Sequence, residues 1–444
     1  MEPNTLLDAL LDEAGMSHAG LAARINTTGQ ARGATLSYDH TAVARWIKGQ
    51  RPRGHVPDLI CDILAQRLQR PLTHDDIGMG KPGAAPAPTA LAGFVERATA
   101  LWRSDQQQRA DVIAAPALVG TAAVMPVWEW ENPPDDTDVS RLGTPRIGAG
   151  DVDMLRAART RYENMYRACG GVATRGRIVG FLTGHTAPLL RSSYTNQVGR
   201  DLYRASGGLV AVAGICAYDS DAQGLAQRYF HQALRLAKAS GDRAFGGYVI
   251  ALLVNQAVYL KDYRQAVAFA EAGLRTAGGH ISPGLSTDLN SMQAKAFARM
   301  GDIPAAHKAM ARAETAAALI RPEEEPPETG YVQPGLVEAQ LAEALISLGD
   351  WSPARTFAEE AVRTQTHARG RVHRLATLTT VDLGRGEPEQ AAANVLAALD
   401  LAAGMESQRL RDRFVALRAK LAGHGSTVAR DAVEQIDASL SVPL

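Results

Sequence analysis

The stretch His40–Gly54, HTAVARWIKGQRPRG, carries the most directed chemistry in the chain. Arg45, Lys48, Arg51 and Arg53 fall within nine residues, and no Asp or Glu occurs between His40 and Pro57. Cations at this density, with no local carboxylate to neutralise them, suit a row of phosphates. Helical spacing turns Val43, Trp46 and Ile47 to one side, leaving His40, Thr41, Ala44, Arg45 and Lys48 on the other. A short helix of this kind fits a DNA major groove. Its early residues reach base edges, and Arg45 can pair in bidentate fashion with guanine. Arg51 and Arg53 lie beyond the stop at Gly49, where they can pair with phosphates and fix register. Ser17 and Arg32 complete the DNA-contacting candidates.

The elements that must hold this helix are legible on either side of it. TLLDALLDEAG places Leu6, Leu7, Leu10 and Leu11 at helical spacing and stops at Gly15. SHAGLAARIN starts a second helix with Ser17 as N-cap and buries Leu21, Ala22 and Ile25. A long turn is expected over Asn26–Ser37, after which Asp39 caps the helix that ends at Gly49. Val56, Leu59, Ile60, Ile63, Leu64 and Leu68 then make one face of another helix. The segment 1–80 is thus one small helical domain. It holds eight Lys/Arg against nine Asp/Glu, so the basic character is confined to the His40–Gly54 face. Modest affinity per domain, and a homodimer on paired half-sites, follow from that balance.

The stretch resembles the second-helix-to-exit segment of phage-repressor-type (XRE-like) helix-turn-helix domains. These often show an apolar-x-x-Trp-x-x-Gly pattern ending in Pro, matched here by Val43, Trp46, Gly49 and Pro52, with LAARIN as the scaffold helix before it. The long turn departs from the usual three or four residues.

The chain of 444 residues exceeds one ordinary core, and 47 Lys/Arg against 47 Asp/Glu make any electrostatic argument local. GMGKPGAAPAPTA reads as a linker. A helix over about 91–115 carries Leu91, Phe94, Val95, Ala98, Leu101 and Trp102 on one side, to pack on a neighbouring domain. Pro116–Gly150 reads as irregular, with Trp128 and Trp130 as anchors packed onto a domain. The segment 81–150 is accordingly expected to be a linker region containing one helix.

From about Asp151 to the end the chain is helical and repeats. Small residues recur in register as Ala226/Phe230/Ala233, Ala266/Ala270/Gly273, Ala306/Met310/Ala313, Ala354/Ala358/Ala361 and Ala391/Val395/Ala398. Acid-led turns, KDYRQA, GDIPAA, GDWSPA and GEPEQA, precede four of them. Small side chains let two helices approach closely, and the turn separates helix A from helix B. The pattern resembles the tetratricopeptide (TPR) repeat, whose helix pairs stack into a right-handed superhelix with a concave groove. The first alanines are 40, 40, 48 and 37 residues apart, against about 34 in the consensus, and inserted loops such as RPEEEPPETG take up part of the excess. The expected fold class is all-α: a helix-turn-helix domain (1–80), a linker (81–150) and a TPR-like right-handed α-solenoid (151–444).

Registering the repeats predicts the groove wall. The position eleven before each first alanine gives Ile215, Asn255, Lys295, Glu343 and, with a slip, Thr380. Seven residues earlier come Tyr248, Asp288, Leu336 and His373, and Tyr259 and Arg299 complete the candidate set. Asn255 can hold a peptide amide, and Lys295 and Glu343 can read a terminus or a charged side chain.

Almost the whole chain resembles the helix-turn-helix plus TPR transcriptional regulators of actinobacteria, streptomycetes especially. The segments that carry this are LLDALLDEAGMSHAGLAARIN, DHTAVARWIKGQRPRG, APLLRSSY and GLAQRYFHQALRLAKASGD. The resemblance implies a cytoplasmic regulator of development or secondary metabolism, bound to double-stranded DNA and tuned by a peptide, small-molecule or protein effector. No P-loop, dinucleotide fingerprint or paired Cys/His ligand set is present, so no cofactor or metal is expected and no enzyme. Cys61, Cys169 and Cys216 read as small core side chains. No apolar run is long enough to span a membrane. The competing reading is a TPR scaffold or co-regulator that makes no sequence-specific DNA contact.

Overall fold

A computed structural model describes residues 4–31, 34–52, 54–68, 72, 74, 76–79 and 91–441. Among them no strand forms beyond two isolated bridges, Arg141 with Tyr194 and Arg146 with Ser193. The protein is all-α, and the chain divides into two units, Met1–Ala90 and Leu91–Leu444. Among the described residues no helix is long and apolar enough to cross a membrane.

The first unit contains α1 (Thr5–Glu13), α2 (His18–Ala31), α3 (His40–Ile47) and α4 (Val56–Leu68). One core gathers Leu7 and Leu11 from α1, Leu21 and Ile25 from α2, Val43 and Trp46 from α3, and Leu59 and Leu64 from α4. The caps are as expected: the Ser17 hydroxyl accepts from Gly20 N–H at 3.1 Å, and Asp39 Oδ1 accepts from Ala42 N–H at 2.9 Å. The turn is not the expected one. Helix α2 continues through Asn26 to Ala31, so the connection runs only from 32 to 39. The Thr27 hydroxyl bonds back to the Ala23 carbonyl at 3.0 Å, and Gly29 lets Leu36 lie against the helix where any side chain would clash. The Asn26 side chain holds both backbone groups of Tyr38, at 2.8 and 2.9 Å, and Tyr38 meets Trp46 edge to face at 5.2 Å.

The second unit opens with α5 (Leu91–Gln106), α6 (Ala110–Ile113), α7 (Thr121–Glu131), α8 (Ala149–Cys169), α9 (Gly171–Phe181) and α10 (Ala187–Arg191). Four expectations are corrected here. The helix expected over 91–115 breaks after Gln106, where Gln108 takes φ 51°. The segment read as irregular contains α7, which runs through Pro126 and VWEWE. Trp130 is an anchor, fully buried against the close backbone of Gly246, whereas Trp128 is 47 % exposed. Residues 91–150 belong to the second unit: Phe94, Trp102 and Val127 share its core with the helices that follow. The acidic pair after α7 straps those helices, Asp136 to Arg235 at 2.6 Å and Asp135 to Arg243 at 3.0 Å.

Six helix pairs follow: α11 (Asn196–Asp219) with α12 (Gln223–Ser240), α13 (Arg243–Tyr259) with α14 (Tyr263–Ala277), α15 (Pro283–Met300) with α16 (Ile303–Ala317), α17 (Leu336–Leu348) with α18 (Trp351–Arg363), α19 (Ala368–Gly384) with α20 (Pro388–Ala402), and α21 (Gln408–Leu421) with α22 (Thr427–Ser441). Ala226, Ala266, Ala306, Ala354 and Ala391 are each fully buried on the second helix of a pair. Two of the acid-led turns act by capping: Asp262 and Asp302 accept from Gln265 and Ala305 N–H at 3.2 and 3.1 Å. Glu387 makes no cap bond and pairs instead with Arg355 at 2.7 Å.

The stack closes on itself. Asp219, at the end of α11, is fully buried and accepts from Gly171 N–H at 2.8 Å, from the Ser407 hydroxyl at 2.8 Å and from the Arg369 guanidinium. Beside it, Glu406 N–H bonds to the Cys169 carbonyl at 2.9 Å, and Val172 N–H to the Glu406 carbonyl at 3.2 Å. A side chain at Gly170 or Gly171 would collide with this junction. The loop between α16 and α17 supplies a second tie, with Glu328 bonded to Arg204 at 2.6 Å and facing Arg159 at 3.6 Å.

Removing one partner of a buried ion pair strands the other. Asp219→Ala is therefore expected to lower the unfolding free energy by about 3–5 kcal/mol, read by urea denaturation. Arg418→Ala, which breaks an exposed pair with Asp437, is the comparison and changes it little.

Candidate functional site

On the first unit, the outward face of α3 presents exposed His40, Thr41, Arg45 and Lys48, with Ala44 half-buried among them and Arg51 exposed just beyond. Arg45 and Lys48 make no ion pair with any described residue. The Thr41 hydroxyl is turned to the N-cap and donates to Asp39 Oδ1 at 2.6 Å. That bond is the first reason the exposed Asp39 carboxyl lies below its usual range. Ser17 is exposed and spends its hydroxyl on capping α2. Arg32 and Arg53 lie outside the described residues.

In the second unit the first helices of successive pairs, together with α8, surround a cavity of about 320 Å³, continuous with an outer recess of about 460 Å³. The positions counted back from the alanines fall along these two hollows. Ile215, Tyr248, Asn255, Asp288, Lys295, Leu336, Glu343 and His373 all line the cavity, while Tyr259, Arg299 and Thr380 line the recess. The three-residue slip places Thr377, rather than Thr380, on the inner wall.

The groups at these positions are strongly coupled. Lys295 faces Glu343 at 3.4 Å, and Arg413 reaches the other oxygen of Glu343 at 3.1 Å. Lys295 and Glu343 thus bind one another and are not two separate readers. Burial opposes the ionisation of Glu343, yet Lys295, Arg413 and Arg299 outweigh it and hold the carboxyl well below its usual range. Burial pulls the Lys295 ammonium down. Asp288 accepts from the Tyr331 hydroxyl at 2.6 Å and from Gln340 at 2.7 Å, and burial still raises it. Asn255 is half-buried, and its side-chain amide makes no hydrogen bond with any described residue. Tyr259 donates to Asp412 at 3.3 Å, and Arg299 is exposed over the Tyr263 ring.

The pairwise register missed the cations contributed by closure: Arg167 from α8, Arg369 and Arg374 from α19, and Arg409 and Arg413 from α21. Arg409 lies over the ring of Tyr218 at 4.1 Å and that of Tyr259 at 5.4 Å. The sequence signal was slight, a pair of arginines four apart in QRLRDRF. Cys61 and Cys216 are buried, and burial pushes the Cys61 thiol up to about 12 and the Cys216 thiol higher still, so neither supplies a thiolate at neutral pH.

Burial, reinforced by Arg369, Arg413 and Arg409, holds the His373 imidazole neutral, well below its usual range. On acidification the unfolded chain takes up this proton near pH 6.5 while the folded protein does not, so stability falls as pH drops below that value. His373→Gln removes up to about 1.4 kcal/mol per pH unit of that loss. Melting curves at pH 7 and pH 5 should show a smaller drop in the variant than in the parent.

The family described as SP15 N-terminal domain matches residues 7–80, a stretch that falls within the first unit, begins inside α1 and contains α2 to α4. No curated protein matches the chain.

Proposed function

We propose that the chain is a sequence-specific DNA-binding regulator, with α3 as the recognition helix and the helix-pair unit as the holder of an effector. The observation that carries this reading is the exposed face of α3, where Arg45 and Lys48 stand without a carboxylate partner among the described residues while Val43 and Trp46 lock the opposite face into the core. His40 and Thr41 at the start of the helix reach base edges, Arg45 reads guanine, and Lys48 and Arg51 take phosphates. Of the exposed acids of the unit, Asp8, Asp12 and Asp58 lie on α1 and α4, off this helix, while Asp39 caps its N-terminus. A homodimer on paired half-sites raises the affinity that one eight-residue helix supplies.

The second unit is read as TPR-like, right-handed in its superhelix, as in the actinobacterial regulators that the sequence resembles. The buried alanines in register and the cavity lined by the first helices of the pairs support this.

Selection of DNA from a random pool with purified protein is the test. The expected result is a recurrent two-fold site whose binding weakens steeply as salt rises. Arg45→Ala should lower affinity for that site by about 1–3 kcal/mol and relax one base position, whereas Lys48→Ala weakens all sequences alike. If no site recurs and binding ignores salt, the face of α3 docks protein and the chain is a scaffold.

A further inference from the structure

The cavity has a charge imbalance that its own residues do not resolve. Its three carboxylates are engaged: Glu163 by Arg159 and Arg167 at 2.8 and 2.6 Å, Asp288 by Tyr331 and Gln340, and Glu343 by Lys295 and Arg413. Arg409 has no carboxylate partner among the described residues, and its buried Nε makes no hydrogen bond there. Arg369 spends Nη2 on Asp219 and Ser407, but its Nη1 is buried and unbonded. The Tyr218 hydroxyl, on a side chain 4 % exposed, is likewise buried and unbonded.

These three residues line one cavity, and all three open groups are donors. Buried polar groups are seldom left unmade, because each carries its full desolvation penalty. Three unused donors, two of them on guanidinium groups, are complementary to an anionic oxygen pair. The same lining also carries the apolar side chains of Val212, Ile215, Leu252, Met292 and Leu336. The volume of about 320 Å³ is at the small end for a ligand site.

We infer that the cavity binds a small organic carboxylate with an apolar body, its anionic end held by Arg409, Arg369 and the Tyr218 hydroxyl. This rests on the reading of the helix-pair unit as an effector holder, and it names the class of effector. The carboxylate can belong to a free acid or to the C-terminal residue of a short peptide. A cavity of this size holds only that last residue.

The test is affinity selection by mass spectrometry on the full-length protein, without DNA, so that its outcome is independent of whether α3 reads DNA. The protein is offered a mixture of aryl- and alkyl-carboxylic acids with their matched primary amides, and in a second arm apolar dipeptides with free or amidated C-termini. Retention of acids at least about tenfold over their amides is expected, since a charged hydrogen-bond partner is lost in the amide. Tyr218→Phe deletes only a hydroxyl that bonds nothing, so it should fold like the parent and still retain the acids about tenfold less well. Arg409→Gln should abolish retention. Equal retention of acids and amides, retention of neither, or an unaffected Tyr218→Phe variant would overturn the proposal. Preference for free acids over dipeptides, or the reverse, identifies the source of the carboxylate.

Discussion

Everything in the larger unit depends on one buried carboxylate finding its partners from remote parts of the chain. Asp219 meets a guanidinium 150 residues away in sequence and a hydroxyl 188 residues away. Bringing two charges out of water is expensive, and the pair is tolerable only because Gly171 N–H and Ser407 satisfy the remaining lone pairs. The missing side chain at Gly170 lets the backbone of Glu406 come close, and the one at Gly171 lets Asp219 and the Cys216 carbonyl do so. Without that junction the arginines of α19 and α21 would not face the tyrosines of α8 and α11, and the cavity would be an open groove.

Much of this architecture was legible because it is local. An alanine at the contact of two helices is a near-neighbour constraint, repeated in five of the six pairs, so Ala226 and its equivalents appear as a rhythm in the sequence. Once the rhythm is found, counting back along one helix locates Asn255, Lys295 and Glu343 on the cavity wall. The caps at Ser17 and Asp39 were legible for the same reason, since a cap and its target lie three residues apart, and the acid-led turns at Asp262 and Asp302 hold caps of the same span.

What escaped the sequence is long-range. In the pair α21–α22 the frame Ala429/Val433 ends in Ile436 instead of a small residue and no acid-led turn precedes it, so no register reached Arg409 or Arg413. Pro126 and the flanking tryptophans disguised α7, whose stability comes from Trp130 seated against α13 and not from intrinsic propensity. Helix α2 ran on past Asn26 because Leu36 and Tyr38 fold back onto it, a tertiary contact that no run of Thr and Gly announces. Trp128 shows the converse: its type suggested burial, and its place on the outer side of α7 leaves it in solvent.

The closure also fixes how many helix pairs can stand between α11 and α19. In an open array of repeats, units can be gained or lost by recombination, and each contributes its own increment of stability. Here the distance from α11 to α19 is set by the pairs between them, and any change in their number would carry Arg369 away from Asp219. Duplication, the ordinary route by which repeat proteins diversify, is thereby closed within that span. Its variation must come from substitution within the pairs and from the lengths of the loops that join them, and the loop holding Glu328 shows that even these have been drawn into the ring.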